Sequence, residues 1–63
     1  MRIDRVKFAA ALARADIKLI DLAVKSGVSR VTLTSVKSGK RCSEDTARKI
    51  ASALGVKLES LIA

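Results

Sequence analysis

The sequence predicts an all-α domain, on three observations. Proline is absent and glycine occurs only at Gly27, Gly39 and Gly55, so few points break a helix. Apolar residues recur mainly at three- and four-residue spacing rather than alternating. The 49% hydrophobic fraction is mostly Ala, Val, Ile and Leu, with Phe8 the sole aromatic residue. Small aliphatic side chains of this kind suit close helix packing. The 63 residues make a single domain, 1–63, without linker, repeat or low-complexity tract. A chain this short buries only about 60% of its unfolded surface, so its core is thin.

Five helical segments follow in order. The first spans Arg2 to Ala15, with Ile3, Val6, Phe8, Ala9, Leu12 and Ala13 largely at helical spacing. The stretch "ADIK" breaks it. The second spans Leu19 to Ser26, with Ile20, Ala23 and Val24 as its periodic apolar residues. Gly27 stops it, because glycine takes positive φ without a Cβ penalty.

The third segment is harder to place. Its Ser, Thr and Val residues are poor helix formers and acceptable strand formers. Strand alternation holds for Val31 and Leu33 but fails at Ser35 and Val36. A lone strand among helices also leaves its backbone unpaired. A helix over about 30–38 instead puts Leu33 and Val36 on one face and Arg30, Thr34 and Lys37 on another. Ser29 caps it and Gly39 ends it.

The fourth segment runs from Ser43 to Leu54. Ser43 caps it, and Glu44 and Asp45 lie where the helix dipole favours negative charge. Gly55 stops it, and the short "KLESLI" forms the fifth. The predicted core is Phe8, Leu12, Ile17, Ile20, Ala23, Val24, Val28, Leu33, Val36, Ala47, Ile50, Ala51, Leu54, Val56, Leu58 and Leu61.

Thirteen Lys and Arg against six Asp and Glu give a formal charge of +7. A field of that sign on so small a chain attracts polyanions, nucleic acid first and an anionic membrane second. The bland alternative is a solvated, solubilising surface. No apolar run approaches the ~20 residues of a membrane span, and no helix shows the aromatic-rich face of a membrane-surface binder. The opening residues carry Asp4 and Asp16 and lack an apolar run followed by a cleavage site, so no signal peptide is expected. The single cysteine, Cys42, cannot form an internal disulfide, which points to an intracellular protein. It stands before a helix start beside Lys40 and Arg41, a setting that depresses a thiol pKa; filling a permissive loop position is the simpler role. Histidine is absent, carboxylates are not clustered, and "SGVSRVT" lacks the Gly-Lys-Ser/Thr ending of a phosphate loop. The chain is therefore expected to hold no metal or cofactor and not to be an enzyme.

The strongest local signal is "LAVKSGVSRVTL". Ala23 lies where two short helices would cross, and a larger side chain would separate them. Gly27 follows at the turn, and Val28, Leu33 and Val36 supply the inward face of the second helix. This is the helix-turn-helix pattern. Small hydroxyl side chains let the third helix lie close to another surface, and Val31 suits a thymine methyl in a DNA major groove.

With these residues the sequence resembles the phage repressor and Cro class of helix-turn-helix domains, the Xre family. "LAVKSGVSRVTLTSVKSGKR" is similar to the family's central motif and "TARKIASALGVKLESLI" to its fourth and fifth helices. The resemblance implies a compact five-helix, lambda-repressor-like domain that binds double-stranded DNA, commonly as a homodimer, and regulates transcription. It also implies a cytoplasmic protein of bacterial or phage origin, a Cro-like switch rather than a full repressor. Carried over residue by residue, it assigns base contacts to Arg30, Val31 and Ser35, with Thr34 at the edge of reach. It assigns phosphate contacts to Lys18, Ser29, Ser38, Lys40 and Arg41. Leu19 stands where the family often has Gln, and Leu12 and Lys37 stand where it often has a bracing Arg–Glu pair. Leu19 is expected as a scattered surface hydrophobe and Ile62 as part of a self-association surface. The rival reading is an antitoxin or co-regulator whose main role is to bind a protein partner.

Overall fold

Asp4 opens the first helix. Its carboxylate accepts from the backbone N–H of Lys7 at 2.9 Å, and α1 then runs over Arg5–Ala15. In this computed structural model, which describes residues 1–62, α1 is followed by α2 (Leu19–Ser26), α3 (Arg30–Lys37), α4 (Glu44–Leu54) and a 3-10 turn at Leu58–Ser60. The helix expected from Arg2 therefore begins a turn late. The preceding residues are used elsewhere: Ile3 forms an antiparallel bridge with Ile62, and the Asp4 N–H donates to Leu61 O at 2.7 Å. The expected fifth helix is a single 3-10 turn, because the chain there turns back to meet Ile3.

Local chemistry accounts for the other boundaries. The Ser29 hydroxyl accepts from Thr32 N–H at 3.2 Å, and the Ser43 hydroxyl accepts from Thr46 N–H at 3.1 Å. Gly27 and Gly55 take φ of 73° and 70° as the C-caps of α2 and α4. Asp16 closes α1 at φ 51°, a left-handed conformation that Asp tolerates better than most side chains. On α4, Glu44 pairs with Arg48 at 2.9 Å and Asp45 with Lys49 at 3.2 Å.

The core gathers one face from each helix. Ile3, Phe8, Leu22, Leu33, Val36, Ile50 and Leu61 are fully buried, with Ala11, Val28, Ala47, Ala51 and Ala53 around them. Leu12, Ile17, Leu19, Ala23, Leu54, Val56 and Leu58 are partly buried against that centre. Two expected core residues are misplaced: Ile20 is 53% and Val24 84% exposed. Leu22 holds the inward position instead, with Leu19, Ala23 and Ser26 beside it at helical spacing. Helix α2 packs on both α3 and α4, and α1 packs on α3 and α4.

The two left-handed caps give opposite predictions. A Cβ on Gly27 would meet no atom within 4 Å, so Gly27→Ala pays only for the backbone conformation, about 1–2 kcal/mol. Asp16→Asn keeps the side chain's tolerance of positive φ but removes a negative charge from a helix C-terminus, a gain of roughly 0.3–1 kcal/mol at low salt. Urea unfolding midpoints at constant slope check both, and the Asp16 gain should shrink as salt is added.

Candidate nucleic-acid interface

Helix α3 is held from beneath and open above. Leu33 and Val36 lock its inner face into the core, and Arg30, Val31 and Thr34 are exposed on its outer side, with Ser35 half-buried at the margin. Arg30, Val31, Thr34 and Ser35 together line a shallow recess of about 380 Å³. The four residues expected to contact bases therefore share one surface. An α-helix with its side chains is about 10–12 Å across, which a major groove about 12 Å wide admits.

The joint before α3 sets its direction. Gly27 N–H donates to Ala23 O at 3.0 Å. The Ser26 hydroxyl donates to Leu22 O at 2.6 Å and accepts from Val28 N–H at 3.2 Å. This second clasp ties the last turn of α2 to the residue leading into α3. Sequence reasoning missed it, since Ser26 reads simply as the last residue of a helix.

Most hydroxyls around α3 are turned inward. Ser29 donates to Thr32 Oγ1 at 2.9 Å, Thr34 donates to Arg30 O at 2.9 Å, and Ser38 donates to Ser35 O at 2.8 Å. A phosphate oxygen would have to take over the Ser29 or Ser38 proton to be bound by that side chain. Turning the Thr34 hydroxyl back also leaves its methyl as the group it presents outward.

The cations expected around α3 are exposed. Lys18 stands at the N-cap of α2 and makes no capping bond, so the first N–H groups of that helix have no side-chain partner. Lys40 and Arg41 follow α3 directly, and Lys37 is exposed on its last turn. Among the described residues, ion pairs form only on α4, which leaves Lys18, Arg30, Lys37, Lys40 and Arg41 outside any ion pair there, though Lys18 shares a recess with Asp16 and Asp21. Leu12 packs against the core, while Lys37 faces solvent.

Two further cations enter by folding alone. The Arg5 side chain lies along the Gly39 turn, where a Cβ on Gly39 would come within 3.1 Å of Arg5 Cδ. Arg2 and Arg5 line a recess with Asp4, Ser38 and Gly39, which brings two cations and one carboxylate to the end of α3. No sequence signal links these positions, since the contact joins residues 34 apart in the chain. Cys42 does not have the depressed thiol pKa that its basic neighbours suggest. It is half-buried, and burial pushes its thiol pKa up, against a smaller lowering by the N-terminal ammonium. Its setting is therefore not that of an activated thiolate.

No helix among the described residues is long and apolar enough to cross a membrane, and no group of side chains there is arranged to hold a metal ion. A family model described as helix-turn-helix matches residues 8–61. Searches of curated proteins and of solved structures returned no match.

Proposed function

The chain belongs to the Cro/C1-type helix-turn-helix family of DNA-binding domains, and on that premise we propose that it is a sequence-specific, double-stranded-DNA-binding transcriptional regulator that reads the major groove with α3. The observation that carries this reading is the shared outward surface of Arg30, Val31, Thr34 and Ser35 on a rigidly held helix. Arg30 is the principal base contact, since a guanidinium binds guanine O6 and N7 with two hydrogen bonds. Lys18, Lys40 and Arg41 meet phosphates on either side, with Ser29 and Ser38 contributing where their hydroxyl protons are exchanged for that purpose.

The size of the domain argues for two copies on DNA. Its longest extent is 22 Å, whereas successive half-sites on one face of a duplex are about 34 Å apart. A helix of α3's length reaches only a few base pairs, too few to mark a unique site. A homodimer on a two-fold symmetric operator supplies the missing information.

A second reading rests on α2. Ile20 and Val24 are exposed at 53% and 84% and lie one helical turn apart. Such a pair suits a protein contact and favours the antitoxin or co-regulator reading over a regulator that acts alone.

Selection of bound duplexes from a random pool at moderate salt tests the first reading. Enrichment of a two-fold symmetric site supports it, and failure to enrich any site removes it in favour of the second. On an enriched site, Arg30→Ala should lose about 1–3 kcal/mol of discrimination while its binding to random duplex falls much less. Equal losses on both would make Arg30 a phosphate contact. Neutralising Lys40 and Arg41 together should reduce the steepness of log K against log salt by roughly 2. An unchanged slope takes them out of the interface.

A further inference from the structure

The outward surface of α3 is poorer in hydrogen-bonding groups than its sequence suggests. Val31 is 79% exposed, and its side chain has no polar atom. The Thr34 hydroxyl is spent on Arg30 O at 2.9 Å, so Thr34 adds a methyl beside it, one turn along. The recess between them is closed by Arg30 on one side and Ser35 on the other. An exposed valine is normally unremarkable. Here it occupies the middle of a polycation's binding face, where a solvated side chain would be expected.

We propose that this recess is a seat for the C5-methyl group of a pyrimidine in duplex DNA, and that it does not distinguish thymine from 5-methylcytosine. The inference rests on the reading that α3 enters the major groove. The major groove displays the thymine methyl together with the 4-position edge, and 5-methylcytosine carries its methyl at the same ring position. The two bases differ at that edge, an acceptor in thymine and a donor in cytosine. Val31 and the Thr34 methyl can engage neither, so they respond to the methyl alone. Arg30, immediately before Val31, places a guanine-reading fork next to the seat. The preferred step thus pairs a C5-methylated pyrimidine with a neighbouring guanine, and cytosine methylation at that step becomes a signal that strengthens binding.

The test uses the intact chain and the duplex enriched by selection, with affinity followed by fluorescence anisotropy at fixed salt. Each thymine is replaced in turn by deoxyuridine, which removes only the methyl. At one step in each half-site the affinity should fall roughly fourfold, the equivalent of one buried methyl-sized group. Replacing that T·A pair by C·G should also weaken binding, and methylating the new cytosine at C5 should recover roughly fourfold. Val31→Ala, at an exposed position, should abolish both methyl effects and leave the salt dependence unchanged. A deoxyuridine scan that is flat at every position, while the wild-type chain still prefers its site to random duplex, would overturn the methyl seat and leave the operator reading standing. Deoxyuridine loss without recovery on cytosine methylation would overturn the claim that the two bases are read alike. A methyl effect that survives Val31→Ala would place the seat elsewhere. If selection enriches no site at all, the methyl seat falls with the base-reading role of α3.

Discussion

Everything on the outer surface depends on the angle at which α2 delivers the chain into α3. That angle is set in three residues. Gly27 supplies a backbone conformation at φ 73° that other residues reach only with strain, and the Ser26 hydroxyl bonds both backwards to Leu22 O and forwards to Val28 N–H. Val28 and Leu33 are then drawn into the core with Leu22. The backbone turn and the apolar contacts enforce one another. Any other residue at position 27 would hold the same turn under backbone strain, and without Leu22 and Leu33 the turn has no reason to hold. Helices α1 and α4 complete the support, since each packs on the α2–α3 pair or its neighbour.

Local chemistry was largely legible in the sequence, and non-local chemistry was not. The caps Ser29 and Ser43 and the stops Gly27 and Gly55 act within a few residues of themselves, so their roles could be read directly. The inward face of α2 could not. Its eight residues, LIDLAVKS, hold apolar side chains on more than one face, and a helix this short offers two defensible phases. Ile20, Ala23 and Val24 made one stripe; Leu19, Leu22 and Ala23 made the other, sharing Ala23. Only packing against α3 and α4 selects between them. Ile3 was given the right apolar character but the wrong element, because its partner Ile62 lies at the far end of the chain. Arg5 was legible only as a charge until α1 laid it along the Gly39 turn. The four outward residues of α3 were identified from spacing and resemblance, and they do line one recess; what the sequence did not disclose was the direction of their hydroxyls.

The charge pattern divides the surface by use. On α4 the cations are spoken for, since Arg48 and Lys49 each face a carboxylate one turn away. Such exposed pairs contribute little to stability, but they cancel charge locally. Around α3, Arg30, Lys37, Lys40 and Arg41 form no ion pair among the described residues, so their part of the chain's positive charge is left unpaired there. Arg2 and Arg5 are brought to the end of α3 by the fold, with Asp4 in the same recess. Such unpaired cations draw a duplex without regard to sequence, and on the proposed reading the choice among sequences is left to the few groups on α3.

That division explains why α3 can be built from residues that form helices badly. A helix read by its side chains cannot spend its outer face on Ala, Leu, Glu and Lys. The cost in propensity is offset locally by the Ser29 cap on Thr32 N–H, and globally by the complete burial of Leu33 and near-complete burial of Val36. The Ser29 and Thr34 hydroxyls, which look from the sequence like recognition groups, are thus engaged within the helix itself. What remains free to discriminate is a guanidinium, a pair of aliphatic surfaces and one serine. On the proposed reading, a helix with so few free polar groups recognises bases by shape and apolar contact as much as by hydrogen bonds.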